Sequence, residues 1–297
     1  MNDSFENVRR NLWTKSHGAI GDWQTFPWHK DLRGEIQTSK IQSSQALAID
    51  VFGTIKMHKD RDKIMGALAK KCDLPDDGPW QLELEWIDPD RLLNEPRPTQ
   101  IDAVAFGKKS LLVIECKFTE PGGGCSQPKK ITNGRHAGQR QCNGNYEVQT
   151  NPITNNSNRC ALTGKGIKYW ETIPRVFGIN AERDFRPCPF KADAYQWMRN
   201  IVLADRLSSE RNLSSAVICA YADSPVFSTA KKVRSDKLGL PTTSESPSLI
   251  PLSYQSIIAT AEGVSERPED WQSLAGWVNR KIDAASAGGE HPSQNQN

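Results

Sequence analysis

Apolar positions at helical spacing first appear over residues 43–56, SSQALAIDVFGTIK. Three of them recur four residues apart, close to one helical turn: Leu47, Val51 and Ile55. Ser43 or Ser44 can cap the N-terminus of this predicted helix. Residues 57–76 extend the helical pattern with charged, alanine and leucine residues as far as the turn sequence PDDGP. Residues 1–40 are polar, rich in tryptophan and weakly periodic, so we expect an N-terminal polar extension of loops and short helices there.

Strand patterns follow the helical region. In residues 80–87, WQLELEWI, apolar and acidic residues alternate, which predicts a half-buried strand. After a loop over residues 88–98, the segments TQIDAVAFG and SLLVIECKF are separated by only two lysines. Two apolar runs this close together predict a β-hairpin with a tight turn.

The rest of the chain contains one irregular segment and several regular ones. Residues 119–165 have many glycine, asparagine, proline, cysteine and basic residues but no long apolar run, so they predict irregular structure. The C-terminal part predicts, in chain order, helix 191–209, strand 216–223, helix 254–263 and helix 270–283. We expect residues 286–297 to form a disordered tail because they are small and polar.

The end of the second hairpin strand carries the charged residues that indicate chemistry. Alternation along SLLVIECKF places Glu115 and Lys117 on one otherwise apolar face, and the opposite face carries Leu112, Ile114 and Cys116. Burying a glutamate and a lysine there is costly unless they are paired or bind a ligand. The hairpin also brings Asp102, on the preceding strand, towards Glu115. Two carboxylates beside a lysine predict a site for a divalent cation next to an ammonium group.

These residues resemble the motif of the PD-(D/E)xK nuclease superfamily. Asp102 is followed, after twelve intervening residues, by ECK at residues 115–117, at the end of an apolar strand and with a helix before the hairpin. The proline of the motif is displaced, because Pro98 precedes Asp102 by four positions.

The resemblance implies an α/β fold of the restriction-endonuclease type, with a mixed central sheet flanked by helices. The order of the predicted elements places this nuclease-like domain at residues 41–285. A cysteine-rich loop insert at about residues 119–190 and the C-terminal helices are additions to that core.

The same resemblance implies metal-dependent hydrolysis of DNA phosphodiester bonds. Mg²⁺, or Mn²⁺ in its place, would be bound by Asp102, Glu115 and the backbone carbonyl of Cys116. Lys117 would orient or help deprotonate the attacking water and offset charge on the phosphate. The implied role is bacterial defence or DNA processing, with partner proteins of a defence system. Two alternatives keep the fold, namely a non-catalytic nucleic-acid-binding module and an RNA-directed nuclease.

Further polar residues are candidates for accessory roles at this site. Glu85 lies on the strand before the hairpin, and Glu35 precedes the first long helix, where some members of the superfamily carry an extra metal-site acid. Gln45, on that helix, could face the site. Gln141 and Tyr146 are close to the Gln-x-x-x-Tyr pattern of the superfamily but one residue too far apart. Each of these residues has an ordinary alternative as a solvated or loop side chain.

The seven cysteines divide into two groups by their surroundings. Cys116 and Cys219 lie on predicted strands and are expected in the core, and Cys72 ends a predicted helix and has no expected role. The other four lie among turn-forming residues: Cys125, Cys142, Cys160 and Cys188. Four thiolates are the number that binds one zinc ion or a 4Fe–4S cluster. Their spacing contains no CxxC pair, so zinc, iron–sulfur and four unrelated thiols are all compatible with the sequence.

The overall charge is small, with 38 Lys and Arg residues against 35 Asp and Glu residues, a formal net charge of +3. The composition, with 37% hydrophobic residues, is that of an ordinary globular protein and excludes a polycation of the histone kind. The charge is nevertheless uneven, because residues 121–146 contain no acidic residue. Four basic residues of this stretch are candidate nucleic-acid contacts: Lys129, Lys130, Arg135 and Arg140.

Several other protein classes are excluded by missing patterns. No apolar run is long enough to span a bilayer, and the start lacks the apolar core of a signal peptide, so we expect a cytoplasmic protein without a membrane segment. The sequence contains no phosphate-binding GxxxxGK[ST], no GxSxG and no HExxH. Its five histidines are scattered and show no metal-ligand spacing.

Overall fold

A computed structural model describes residues 3–180, 187–236, 238, 240 and 242–288. Its α-helices are α1 (Asp3–Arg10), α2 (Ser44–Ala48), α3 (Thr54–Met57), α4 (Arg61–Lys71), α5 (Ile173–Phe177), α6 (Tyr195–Arg211), α7 (Ser228–Arg234), α8 (Tyr254–Val264) and α9 (Pro268–Ala287). Its strands are β1 (Gln81–Ile87), β2 (Gln100–Phe106), β3 (Ser110–Lys117), β4 (Gln149–Thr150), β5 (Ser157–Asn158), β6 (Ser214–Tyr221) and β7 (Ser248–Ser253). A π-helical segment, Ile49–Gly53, joins α2 to α3, and short 3-10 helices lie at Thr14–Ile20, Gln37–Ser39, Thr163–Lys165 and Lys168–Glu171. In the described part of the chain, no helix is both long and apolar enough to cross a membrane.

Five strands form one central sheet in the order β1-β2-β3-β6-β7. Strands β1, β2 and β3 pair antiparallel, whereas β3, β6 and β7 pair parallel. The connection from β3 to β6 contains the predicted insert and helix α6, because parallel neighbours need a long crossover. Strands β4 and β5 form a separate two-stranded sheet inside the insert. The mixed sheet with helices packed on it confirms the predicted α/β class.

Strand β3 lies at the centre of the sheet, and all eight of its residues are buried. On one face, Leu112 and Ile114 pack into an apolar cluster with helices α4, α8 and α9. On the other face, Leu111 and Val113 pack against helix α6. Each fully buried leucine or isoleucine side chain stabilises the fold by about 1.5–3 kcal/mol. The predicted alternation of this strand is therefore confirmed, and it directs the charged end of the strand towards α6.

The first long helix begins as predicted, with Ser43 as its N-cap. The Ser43 hydroxyl accepts a hydrogen bond from the N–H of Ala46 at 3.2 Å, which satisfies a donor in the first turn. The helix is interrupted by the π-helical segment, in which Asp50 is fully buried. Asp50 forms an ion pair of 2.8 Å with Lys281 of α9, and neither side chain is accessible to solvent.

Residues of the N-terminal extension pack on this helix. Val8 and Leu12 are fully buried in an apolar cluster that includes Ala46 of α2. Lys281 Nζ donates to the backbone carbonyl of Asn11 at 2.8 Å, so the extension is also joined to α9. These contacts fix the path of the extension across the nuclease-like core.

Some elements differ from the sequence pattern. Helix α7 and strand β7 are not predicted, and β7 contains Pro251, which lacks a backbone donor and is tolerated because β7 is an edge strand. Helix α9 includes residues 286 and 287, which the sequence assigns to the tail. Gly288 is the C-cap of α9, and residues 289–297 of the predicted tail and residues 181–186 of the insert lie outside the described residues.

Candidate active site

The hairpin of β2 and β3 places the three motif residues together. Asp102, Glu115 and Lys117 are all buried, with 8%, 2% and 5% of their surfaces exposed. Asp102 Oδ2 accepts a hydrogen bond from the backbone N–H of Cys116 at 2.6 Å, which links the two strands at the site. The Cys116 side chain lies on the opposite face, in the apolar cluster under helices α4, α8 and α9.

Glu115 is surrounded by hydrogen-bond donors. Lys117 Nζ donates to Glu115 Oε1 at 2.8 Å. Asn200 Nδ2 donates to Glu115 Oε2 at 2.7 Å, and Gln196 Nε2 also donates to Oε1. Gln196 and Asn200 lie four residues apart on α6, one helical turn from each other, so both face strand β3. Glu115 is therefore fixed by α6 and in turn fixes the ammonium group of Lys117.

A second group of ligands lies beside Asp102. Among the described residues, ligand atoms of His29, Glu85 and Asp102 lie within 4.8 Å of one another. Glu85 is on β1 opposite Asp102 on β2, between the paired positions on either side. Its φ of +52° lies in the left-handed region, which a residue with a Cβ enters at a cost and which redirects the side chain. His29 Nε2 is 3.6 Å from Glu85 Oε2.

Glu85 also has the kind of unsatisfied atom that a bound cation would explain. Its Oε1 is buried and has no hydrogen-bond partner among the described residues. A buried carboxylate oxygen without a donor is costly, and a cation would offset that cost. The two carboxylates are oxygen ligands of the type that Mg²⁺ and Mn²⁺ prefer, and imidazole is a common transition-metal ligand. The donor set of His29, Glu85 and Asp102 therefore fits a divalent cation.

The charges of this cluster shift one another's protonation. Burial, followed by the charges of Glu115 and Glu85, raises the pKa of Asp102 well above its usual range. Burial alone would lower the pKa of Lys117, but the charges of Glu115 and Asp102 outweigh it and raise the pKa. The hydrogen bond to Glu85 raises the pKa of His29. The site thus keeps Lys117 charged while it destabilises the ionised form of Asp102, and a cation beside Asp102 would offset that destabilisation.

The accessory candidates have different positions. Glu35 is an exposed residue. Gln45 is fully buried, and its Oε1 accepts from the backbone N–H of His29 at 3.0 Å and from the Thr38 hydroxyl. Gln45 therefore fixes the segment that carries His29 instead of facing the site with its own side chain. Gln141 is half-buried in the insert, away from the hydrogen bonds that surround Glu115.

The residues assigned to the insert also have defined places. The four candidate phosphate contacts are exposed on a loop in which residues 130 and 140 form an isolated antiparallel bridge: Lys129, Lys130, Arg135 and Arg140. The four turn cysteines line one cavity: Cys125, Cys142, Cys160 and Cys188. Tyr146 lines the same cavity and is 2% exposed, so it belongs to the cysteine-lined region. The three remaining cysteines are buried elsewhere in the fold.

Three residues at the site have no role in the sequence prediction: His29, Gln196 and Asn200. The only local signal was at Asn200, a polar residue beside apolar positions on a helix and fully buried in the structure. His29 gives no such signal, because a lone histidine in a polar segment is ordinary. Only the packing of the extension on the core places it next to Glu85.

Comparison with known proteins supports a family assignment. No curated protein and no solved structure gives a significant match to this chain. A family model described as "Restriction Endonuclease associating with ARP" matches residues 2–276. That range includes His29, the hairpin, the insert and α6, and hence every residue of the candidate site. The family model is consistent with the predicted resemblance to the restriction-endonuclease-like superfamily, and because it covers most of the chain, the chain belongs to the REase-ARP family.

Proposed function

We propose that this protein is a Mg²⁺-dependent nuclease, with Mn²⁺ as an alternative cation, that hydrolyses DNA phosphodiester bonds. The observation that carries the proposal is the convergence of His29, Glu85 and Asp102 beside the buried Lys117. Membership of a family described as restriction endonucleases supports DNA as the substrate and a role in bacterial defence. Hydrolysis of a phosphodiester at this site requires a divalent cation next to a fixed positive charge.

The chain's own residues have separable roles in this proposal. Asp102 and Glu85 would hold the cation, and His29 would complete or orient that ligand set. A bound Mg²⁺ would supply Lewis-acid chemistry at the phosphate and make a coordinated water more acidic. Lys117 orients the attacking water and offsets the negative charge that develops on the phosphate.

Glu115 has two functions in the proposal. It fixes the Lys117 ammonium group through a 2.8 Å hydrogen bond. An ionised carboxylate has about four lone-pair positions. The three donors on Glu115 leave capacity for one contact to the cation or its water. Gln196 and Asn200 are positioning residues, because they act through Glu115.

The test is cleavage of supercoiled plasmid DNA by the purified protein with Mg²⁺, with Mn²⁺ and with a chelator. We expect nicking or degradation that the chelator stops. Lys117→Ala should reduce the rate at least about 100-fold, the usual effect of removing a group that stabilises transition-state charge. Lys108→Ala is the matched control, since Lys108 is an exposed lysine on the same hairpin. Cleavage by Lys117→Ala at the normal rate would exclude this role for the lysine.

A second pair of variants tests the cation ligands. Glu85→Gln should weaken Mn²⁺ binding, measured by calorimetry, at least about tenfold, because one charged ligand is lost. Glu83→Gln is the control on the same strand, since Glu83 pairs with Lys56 at 2.8 Å instead of entering the cluster. Equal Mn²⁺ affinities for the two variants would exclude Glu85 as a ligand.

Parallel assays separate the two alternative functions. A labelled RNA cleaved in preference to DNA would indicate an RNA-directed nuclease. Tight DNA binding with no cleavage under any cation would indicate a non-catalytic module.

The family description also names an association with ARP, and we extend the proposal to a protein partner of that kind. Co-purification of the chain with an ARP from cells that produce both would test it.

A further inference from the structure

The four turn cysteines converge although they are far apart in the sequence. They line one cavity at the boundary between the insert and α6, where Tyr195 and Met198 form part of the wall. The cysteines come from four separate turns: Cys125, Cys142, Cys160 and Cys188. All four are half-buried, whereas the other three cysteines of the chain are buried. All seven are free thiols, so disulfides do not account for the convergence.

The local backbone at these cysteines is arranged around the sulfur atoms. The sulfur of Cys125 accepts a hydrogen bond from the backbone N–H of Gln127. The sulfur of Cys142 accepts one from Gly144, and Gly144 has a φ of +78°, in the left-handed region that glycine enters without strain. Each of these N–H groups orients the sulfur atom of its own turn towards the cavity that the cysteines share.

The third turn is at Cys188, whose sulfur accepts backbone hydrogen bonds from Phe190 and Lys191. In all three turns a donor comes from the residue two positions after the cysteine. The sulfur of Cys188 also lies 3.0 Å from the hydroxyl oxygen of Tyr146, which provides a side-chain partner. Donors that surround metal-binding sulfurs in this way orient the ligands and tune the bound group.

The surroundings also suit a negatively charged group that is kept from water. Arg159 and Lys191 line the cavity. Lys165 interacts electrostatically with Cys125 and Cys142. Four thiolates carry a charge that such cations offset. Much of the remaining wall is apolar: Tyr146, Leu162, Trp170, Ile173, Phe190 and Met198.

The spacing of the sulfurs distinguishes between kinds of metal centre. A zinc ion bound at about 2.3 Å by four sulfurs brings them to within about 3.8 Å of one another. Among the described residues, the only set of three potential metal ligands within 4.8 Å is at the candidate active site, and it contains no cysteine. In a 4Fe–4S cluster each cysteine binds a different iron, so the sulfurs lie further apart around a central space. The four cysteines line one cavity, and no three of them form such a close set among the described residues, which matches the second case.

We propose that Cys125, Cys142, Cys160 and Cys188 bind a 4Fe–4S cluster that cross-links the insert and fixes it to α6. Such a cross-link would stabilise the insert, whose regular elements are short: its strands have two residues each and α5 has five. Small, irregular segments commonly depend on a metal centre for stability. The proposal is independent of nuclease activity and concerns a site separate from the Mg²⁺ site.

The cluster would also contribute to the geometry of the candidate active site. Gly123, two residues before Cys125, donates its backbone N–H to Gln196 Oε1 at 3.1 Å. The Gln196 N–H in turn donates to the Gly123 carbonyl at 3.2 Å. Gln196 also donates to Glu115 on β3. The turn at Cys125 and strand β3 are therefore connected through the same positioning residue.

The test is metal analysis of the full-length protein purified without oxygen. We expect a brown protein with about four iron and four acid-labile sulfide per chain, and with a broad visible absorption that dithionite bleaches. Stoichiometric zinc without iron would overturn the cluster, and so would protein free of metal after purification under these conditions. This measurement needs no variant, so it does not depend on the folding of a mutant.

Two substitutions assign the ligands. Cys142→Ala should lose most of the iron and the visible absorption, whereas Cys72→Ala should keep both, because Cys72 lies at the end of α4 in the core. Circular dichroism checks that both variants retain the central fold. Full iron content in Cys142→Ala would overturn the assignment. Iron content and DNA cleavage are separate readouts, so a cluster in an inactive protein would contradict the proposed nuclease alone.

Discussion

At the residue scale, the candidate site combines Asp102, whose ionised form is disfavoured by burial and by neighbouring carboxylates, with Lys117, whose charged form those carboxylates stabilise. Asp102 and Glu85 face each other across neighbouring strands, and Glu85 occupies a left-handed conformation that costs of order 1–3 kcal/mol. An ordinary strand would place a β-branched or aromatic residue there. Backbone strain and two neighbouring carboxylates are costly at one position, and a bound cation would offset the repulsion between the carboxylates. We therefore assign the cation to Glu85 and Asp102.

This arrangement predicts how cation affinity depends on pH. The pKa of Asp102 is raised, so in weakly acidic solution Asp102 binds a proton that a cation must displace. Mn²⁺ affinity should therefore rise as the pH rises towards that pKa and level off above it, with proton release on binding. Calorimetry in two buffers of different ionisation enthalpy measures both effects. Asp102→Asn should weaken binding and remove most of the pH dependence, and an unchanged dependence would exclude Asp102 as its source.

At the scale of elements, a buried ion pair joins segments that are distant in the sequence. Asp50, in the π-helical segment, accepts from the Trp277 indole N–H and from Lys281 Nζ, both at 2.8 Å, and from the backbone N–H of Trp13 at 2.6 Å. Burial lowers the pKa of Lys281, and the charge of Asp50 opposes that shift. The interrupted helix, α9 and the N-terminal extension thus meet at one carboxylate.

Removing one partner of this pair should be strongly destabilising. Lys281→Ala leaves Asp50 buried without its counter-charge, and we expect a loss of about 3–5 kcal/mol in the free energy of unfolding. The double variant Asp50→Asn/Lys281→Met should lose less than the sum of the single changes, because no uncompensated charge remains. Urea denaturation measures these values. As a control, Lys70→Ala removes an exposed pair with Asp76 and should cost less than about 1 kcal/mol; a comparable loss there would contradict the argument from burial.

At the scale of the whole molecule, a net charge of +3 conceals separate acidic and basic regions. The acidic groups of the site are buried between the sheet, α6 and the N-terminal extension. The basic loop of the insert, defined by Lys129, Lys130, Arg135 and Arg140, is exposed. A phosphate backbone would be attracted to the loop first, because buried carboxylates project little charge into solvent.

Replacing the four residues of the basic loop by alanine should weaken DNA binding and its salt dependence. Each lost phosphate contact lowers the slope of log affinity against log salt by about 0.9, so a change of up to about 3.6 is expected for B-DNA. Fluorescence anisotropy with a DNA duplex, in the Lys117→Ala background to prevent cleavage, measures the slope. A matched control replaces Lys70 and Lys71, exposed lysines on α4. Equal slopes for both variants would show that the loop does not contact phosphates.

Local patterns in the sequence are sufficient for the hairpin and its three motif residues. Side chains alternate along a strand and a tight turn fixes the register, so Asp102, Glu115 and Lys117 are brought together by short-range rules. The same rules predict the helical region that contains α2, α3 and α4, helices α6, α8 and α9, and strand β6, which have longer or more regular apolar patterns. These rules do not predict strand β7, because it is short and contains a proline. Its one neighbour in the sheet is β6, a strand that is remote in the sequence and pairs parallel with it.

The sequence by itself therefore determined the fold class, the motif on the hairpin and which four cysteines differ from the rest. Only the tertiary structure decided that His29 and Glu85 join Asp102, that Gln196 and Asn200 fix Glu115, and that the four cysteines surround one cavity. The physical reason is distance along the chain. Periodicity reports the environment of neighbouring residues, whereas contacts between remote segments depend on how the extension, the insert and α6 pack on the sheet.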